Sequence, residues 1–361
     1  MIHPIHEKYA ALLVEYCLEV EPGQQVLLDV ATSALPLARA LNRAVLTAGG
    51  EPHLRLTYPE QGADLLELVG AELLGSEPTV QLAEMQAIDA YVRVGAPDNS
   101  RALQGADAGK LAQLSRRMQE VMQTRMTKRW VVTLFPTPAS AQESGMSTAE
   151  YERFVYGSMF LFDDDPASKW RELGAQQQRW VERLEKADQV RIEGPGTDLT
   201  MSVKGRRWAN SDGKRNLPSG EVFTGPLEQS ANGVISFDIP SNHGGSLVEG
   251  VRLRFEQGRV VEATAERGQE LLDEQLATDE GARYLGELGI GTNPHITRPT
   301  LKTLYDEKIL GTIHLALGRS YAETGGTNQS AIHWDLVCDL RTEGRVLLDG
   351  ELFLENGRLL G

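Results

Sequence analysis

The sequence predicts an α/β N-terminal domain with a mostly parallel sheet and covering helices, followed by an α+β, strand-rich C-terminal domain. Two observations carry this. Over residues 1–185, short β-type runs alternate with amphipathic helical stretches, as in a sheet whose parallel strands are joined by helices. Beyond Asp188 the texture changes to short strands and turns, with helical periodicity confined to brief segments. A chain of 361 residues has room for two such cores, so the domains are placed at 1–185 and 186–361.

In order, His6 to Val20 reads as an amphipathic helix, with Tyr9, Leu12, Leu13, Tyr16 and Cys17 at helical spacing, ended by Pro22-Gly23. Strand Gln25 to Val30, helix Leu35 to Ala48, strand Pro52 to Thr57 and helix Ala63 to Val69 follow. A helix at Val80 to Ala87 leads into strand Ala90 to Val94, helix Gly105 to Arg125 and strand Arg129 to Leu134. Helices Thr148 to Met159 and Pro166 to Ala187 close this half, and the apolar stripe Trp170, Leu173, Trp180 and Leu184 on the second reads as core packing. In the second half, strands are expected at Gln189 to Glu193, Asp198 to Val203, Arg206 to Ala209, Val234 to Ile239, Leu247 to Phe255 and Arg259 to Thr264. Helices at Gln269 to Leu276 and Glu280 to Leu285 precede closing strands at 311–317, 331–340 and 345–348.

The bulk numbers exclude several function classes. With 51 acidic against 36 basic residues the net charge is -15, which repels nucleic acid and anionic lipid surfaces. The first twenty residues carry acidic groups where a signal peptide needs a basic and then an apolar region, and no run of 18 apolar residues occurs, so no membrane partner is expected. Cys17 and Cys338 each sit in an apolar pattern and read as buried thiols of a reducing compartment, which argues for the cytoplasm. The first domain has no G-x-G-x-x-G after its first strand and no G-x-x-x-x-G-K-[ST], so its layout gives no support for nucleotide binding. There is no G-x-S-x-G, and neither cysteine has a nucleophile's motif, so a covalent enzyme nucleophile is disfavoured.

Chemistry concentrates between Gly311 and Asp335. In Thr312 to Gly318, Ile313, Leu315 and Leu317 take one strand face and leave His314 on the other. His333 and Asp335, two residues apart, share a face and are separated by roughly 6.5 Å of strand rise, a spacing at which both can reach one metal ion or two neighbouring ones. A lone half-buried histidine is commonly a packing residue, but three ligand-type side chains on strand faces around a glycine-rich loop favour a metal site. Glu221, in LPSGEVFTGP, and Glu287, in YLGELGIG, are carboxylates hemmed by glycine and proline; each taken singly is the kind of residue found in a solvated turn. His3, His6, His53, His243 and His295 lie outside these stretches and read as surface or loop-packing histidines.

Taken together, LPSGEVFTGP, YLGELGIG, IHLALGRSY and HWD, in that order, resemble the thermophilic metallo-aminopeptidase family, the aminopeptidase T group. The resemblance covers most of the second domain and extends more weakly into the first. The loop between His314 and His333 is shorter than in the best-known members, and the first domain is somewhat trimmed. What the resemblance implies is a cytoplasmic dinuclear metallo-aminopeptidase, with Glu221, Glu287, His314, His333 and Asp335 as ligands of two divalent ions per chain. Tyr321 matches the family's active-site tyrosine, and it is counted with Glu287 as catalytic. The implied substrates are peptides with a free N-terminus, and the implied assembly is a homodimer. Carboxylates and imidazoles favour Zn²⁺ or Co²⁺, with Mn²⁺ or Mg²⁺ next, whereas an iron–sulfur or copper–thiolate site would need cysteines that these motifs lack.

Two other readings compete. Ring-cleaving, iron-dependent dioxygenases of dihydroxypyridines look similar to this family, and His314, His333 and Asp335 could form a 2-His-1-carboxylate triad for one Fe(II). Glu221 and Glu287 together favour two ions over one. A catalytically silent binding protein would be expected to have lost a ligand, and none is missing.

Overall fold

A computed structural model describes residues 2–360. By internal contacts the chain divides into two units. One comprises the residues up to Lys169 together with Gly213–Pro218; the other comprises Trp170–Asp212 and Ser219 onward. The long helix Pro166–Leu184 therefore lies mostly in the second unit, not at the end of the first, because Trp180, Val181 and Leu184 are buried in the second unit's core.

The first unit is built on a wholly parallel sheet. Its order is Glu51–Thr57, Gln25–Ala31, Ala90–Gly95, Arg129–Leu134 and the short Asn216–Leu217. The interior strand Gln25–Ala31 reads as an apolar run interrupted only by Asp29 because both its faces are covered: Val26, Leu27, Leu28 and Val30 are all buried. Leu27 packs with Met85, Ile88, Tyr91 and Val121 from the flanking strand and helices. The opening helix begins at Pro4 and continues after Ala11 as a π-helical stretch, Leu12–Cys17, so it ends before the expected Val20. The expected helix Gly105 to Arg125 is two helices, Ala108–Arg117 and Gln119–Met126, broken at Met118.

The second unit holds two larger antiparallel sheets. One, of eight strands among the described residues, places Thr197–Ser202 and Gln189–Gly194 at its centre. The other runs in the order His333–Asp339, Thr312–Gly318, Leu285–Gly291, Glu221–Thr224, Ala209–Ser211. Both give apolar side chains to one core, the second sheet through Val222, Leu288, Ile290, Ile313, Leu315, Leu317, Trp334, Leu336 and Cys338. Those residues alternate along their strands, which leaves the other face of the sheet for polar groups.

Several sequence expectations shift here. The strand at 206–209 is Ala209–Ser211, Leu247 to Phe255 splits into Ser246–Val248 and Val251–Glu256 around Gly250, and the helix at 280–285 is only the 3₁₀ turn Gly281–Arg283. Strands Glu351–Glu355 and Arg358–Leu359 were not anticipated, although Asn356-Gly357 is a hairpin signal; with φ of 48° and 75° these two residues make the turn. Both cysteines are buried. Among the described residues no helix is long and apolar enough to cross a membrane.

Candidate metal centre

The polar face of the second unit's sheet that carries Thr312–Gly318 and His333–Asp339 brings Glu221, Glu287, His314, His333 and Asp335 together. Register explains how. Each of these residues stands opposite a small one on the neighbouring strand: Glu221 opposite Gly291, Glu287 and Asp335 opposite Ala316, His314 opposite Gly289, His333 opposite Gly318. Directly paired side chains on one face sit about 5 Å apart, so glycine or alanine at the partner position opens the space that the ligand side chains fill. The glycines that make LGELGIG look like a loop are thus part of a fully buried strand. Glu287, which a local reading of the motif would leave in a turn, is 5 % exposed.

The centre of the cluster is the Glu287 carboxylate. Its Oε1 lies 3.1 Å from His314 Nε2 and its Oε2 lies 3.6 Å from His333 Nε2. His314 Nε2 is also 3.5 Å from Glu221 Oε2, and His333 Nε2 is 3.6 Å from Asp335 Oδ1. The His333 ring is fixed from behind: its Nδ1 is 2.7 Å from the Arg319 carbonyl, which can only accept, so Nδ1 carries the hydrogen and Nε2 faces the carboxylates. Tyr321 stands at the rim, its ring 5.0 Å from that of His333 and 5.8 Å from that of Phe223. Its loop is pinned by hydrogen bonds from Arg207 N to the Thr324 carbonyl, from Gly225 N to Thr324 Oγ1, and from Thr327 to Glu228.

Two residues that the sequence reading did not single out complete the cluster. Glu307 offers a carboxylate oxygen within 4.8 Å of Glu221 and His314 donor atoms, and Glu287, His314 and Asp335 form a second triad of the same compactness. Lys308 is fully buried beside Glu221 and Glu307. In sequence, Asp306-Glu-Lys308 looks like a solvated charge run; in the structure it lies between Tyr305 and Ile309, both fully buried.

The electrostatics follow from packing four carboxylates in one buried face. Burial raises the Glu287 carboxyl, and it raises that of Glu307 to about 8 although Lys308 pulls the other way. Burial works against a charged imidazole, yet the Glu287 hydrogen bond and the Glu221 charge prevail at His314 and lift it to about 10. His333 is raised too, Asp335 and Glu287 outweighing desolvation. Burial and the nearby Glu287 and Asp335 carboxylates raise the Tyr321 phenol, so it is a hydrogen-bond donor at neutral pH. The cluster therefore demands positive charge, which protons supply in the bare chain and cations would supply by displacing them. A metal fits on a further ground: Glu221 Oε2 and Asp335 Oδ1 are buried and have no hydrogen-bond partner among the described residues.

Carboxylates and imidazoles gathered on one buried face, with acceptor oxygens left over, define a metal-dependent enzyme. Residues 3–358 match the family model described as thermophilic metalloprotease (M29), and the chain belongs to that family of peptide hydrolases. Similar proteins include aminopeptidase 2 of Geobacillus stearothermophilus, 29 % identical with 96 % of this chain and 94 % of the relative covered. Aminopeptidase T of Thermus thermophilus is also 29 % identical, over 91 % of each chain. Among solved structures, wild-type AmpT from Thermus thermophilus superposes with a TM-score of 0.85 at 27 % identity over 99 % of both chains. The 2,5-dihydroxypyridine dioxygenase of Pseudomonas putida KT2440 gives a TM-score of 0.60 at 14 % identity over 99 % of this chain and 97 % of its own, a likeness of fold alone.

Proposed function

We propose that this protein is an aminopeptidase that removes N-terminal residues from peptides by means of a water activated at two divalent ions. The observation that carries the reading is the position of Glu287 between the two histidines, one oxygen toward each. Two compact donor triads share His314, one with Glu221 and Glu307 and one with Glu287 and Asp335, and His333 lies beside Glu287 and Asp335; these residues would hold the two ions. Zn²⁺ or Co²⁺ suits these donors best, Mn²⁺ or Mg²⁺ next. When bound, such ions supply Lewis acidity, lowering the pKa of a water and polarising the scissile carbonyl.

The chain's own residues do the rest. His333 is oriented by the Arg319 carbonyl, and the carboxylates of Glu287 and Asp335 are kept dry by the buried sheet. The Tyr321 phenol, protonated and with its ring against that of His333, would donate to the oxyanion of the tetrahedral intermediate. The names of the relatives support end-specific cleavage of peptides with a free N-terminus. A cytoplasmic homodimer belongs to the same reading, consistent with the buried thiols and with Leu54 and Leu56, exposed by 47 % and 42 % on the edge strand Glu51–Thr57. The test is release of leucine from unblocked and N-acetylated peptides. Chelation should abolish release and Zn²⁺ or Co²⁺ should restore it, while acetylated peptides stay intact. Equal cleavage of both would contradict end recognition, and oxygen uptake on a dihydroxypyridine with one iron per chain would replace the hydrolase reading by the dioxygenase one.

A further inference from the structure

Lys308 is 0 % exposed. It follows the helix Thr303–Asp306 and is anchored through its backbone, its N–H donating to the Tyr305 carbonyl at 3.0 Å and its carbonyl accepting from Asn293 N at 3.1 Å. Its ammonium is 3.4 Å from Glu221 Oε1 and in contact with a Glu307 carboxylate oxygen. A buried ammonium is expensive to desolvate and persists only when carboxylates answer it. As a structural feature alone, such a pair gives little net stability over apolar packing.

Two features point beyond structure. The contact divides the Glu221 carboxylate: Oε1 is engaged by Lys308, while Oε2, buried and without a hydrogen-bond partner, is turned toward His314 Nε2 at 3.5 Å. The charges also close around it. Two divalent cations would balance the carboxylates of Glu221, Glu287, Glu307 and Asp335, and Lys308 then leaves one positive charge for a hydroxide or an oxyanion.

We propose that Lys308 is a positioning residue of the metal centre, holding Glu221 by Oε1 and Glu307 by a carboxylate oxygen so that Oε2 of Glu221 faces the ion position beside His314, and remaining in place when both ions are bound. The proposal rests on the two-ion reading above. Its rival is that the ammonium merely stands in for an ion and is displaced when metal loads.

The test uses the full chain loaded with Co²⁺, as parent and as Lys308→Met and Lys308→Gln. Both variants should still take up two Co²⁺ per chain but show an altered visible absorption spectrum. Their kcat should fall about 10- to 100-fold with KM within about twofold, the usual scale for losing a group that orients a ligand. A parent-like spectrum together with parent kcat would overturn the proposal. Should neither variant fold, the parent decides: the ¹⁵N spectrum of lysine ammonium groups should contain one exchange-protected signal, from the buried Lys308, in both metal-free and Zn²⁺-loaded protein. Loss of that signal on loading would mean displacement and would overturn the proposal. A parent that binds only one ion would instead refute the two-ion reading, and metal analysis shows that before any variant is made.

Discussion

Gly289 and His314 face each other in antiparallel register, and a Cβ built on Gly289 would lie 2.1 Å from Cε1 and Nε2 of the imidazole. The ring occupies the place of the side chain that Gly289 lacks. Gly289→Ala should push His314 out of reach of Glu221 and Glu287, lowering metal affinity by an order of magnitude or more, the scale on which ligand orientation acts. Competition against a chelating dye would measure it, with circular dichroism to verify that the sheet is kept. Parent affinity in a folded Ala variant would show that His314 takes no part in binding.

Glu287→Gln keeps the shape of the side chain and removes its charge. If that carboxylate is a metal ligand, metal content and activity should fall together. Elemental analysis after dialysis, paired with turnover in excess Zn²⁺, separates the cases: full metal content with lost turnover would make Glu287 catalytic without being a ligand.

Tyr321→Phe removes one hydroxyl from a ring that packs against His333. Metal content and KM should stay near parent values while kcat falls by roughly 10²- to 10³-fold, the cost of losing one oxyanion donor. Loss of an ion would make Tyr321 a ligand, and unchanged kcat would make its hydroxyl a bystander to the reaction.

On the apolar face of the same sheet, burial pushes the Cys338 thiol up to about 12. The folded protein therefore keeps this proton at pH values where the unfolded chain, with an ordinary thiol pKa of about 8.5, releases it. The contribution to stability is complete below pH of about 8.5 and shrinks as pH rises from there toward 12. At pH 8 a disulfide exchange reagent should leave Cys17 and Cys338 untouched in folded protein and titrate 2 thiols per chain after unfolding. Rapid reaction of Cys338 in the native state would contradict its burial.

How much of this was legible in the sequence varies with the kind of signal. His314, His333 and Asp335 could be placed because strand alternation puts them opposite leucine and isoleucine neighbours, and the structure has them there. Glu287 was harder, since the glycines that admit the His314 ring also erase the β-branched pattern of a strand. Glu307 and Lys308 were missed because a local reading cannot tell a solvated charge run from one folded inward between buried neighbours. In the first unit the parallel layout was readable from alternation, whereas the break at Met118 was not, because helical periodicity runs through it. The placement of the 166–184 helix with the second unit depends on packing that no local pattern encodes.

Two ions per chain are what these donors are proposed to hold. Elemental analysis of purified protein saturated with Zn²⁺ or Co²⁺ and freed of excess tests this directly. About two ions per chain are expected, because two compact donor triads, which share His314, together exceed what one open catalytic site needs. One ion per chain at saturation, whatever the metal, would contradict the account.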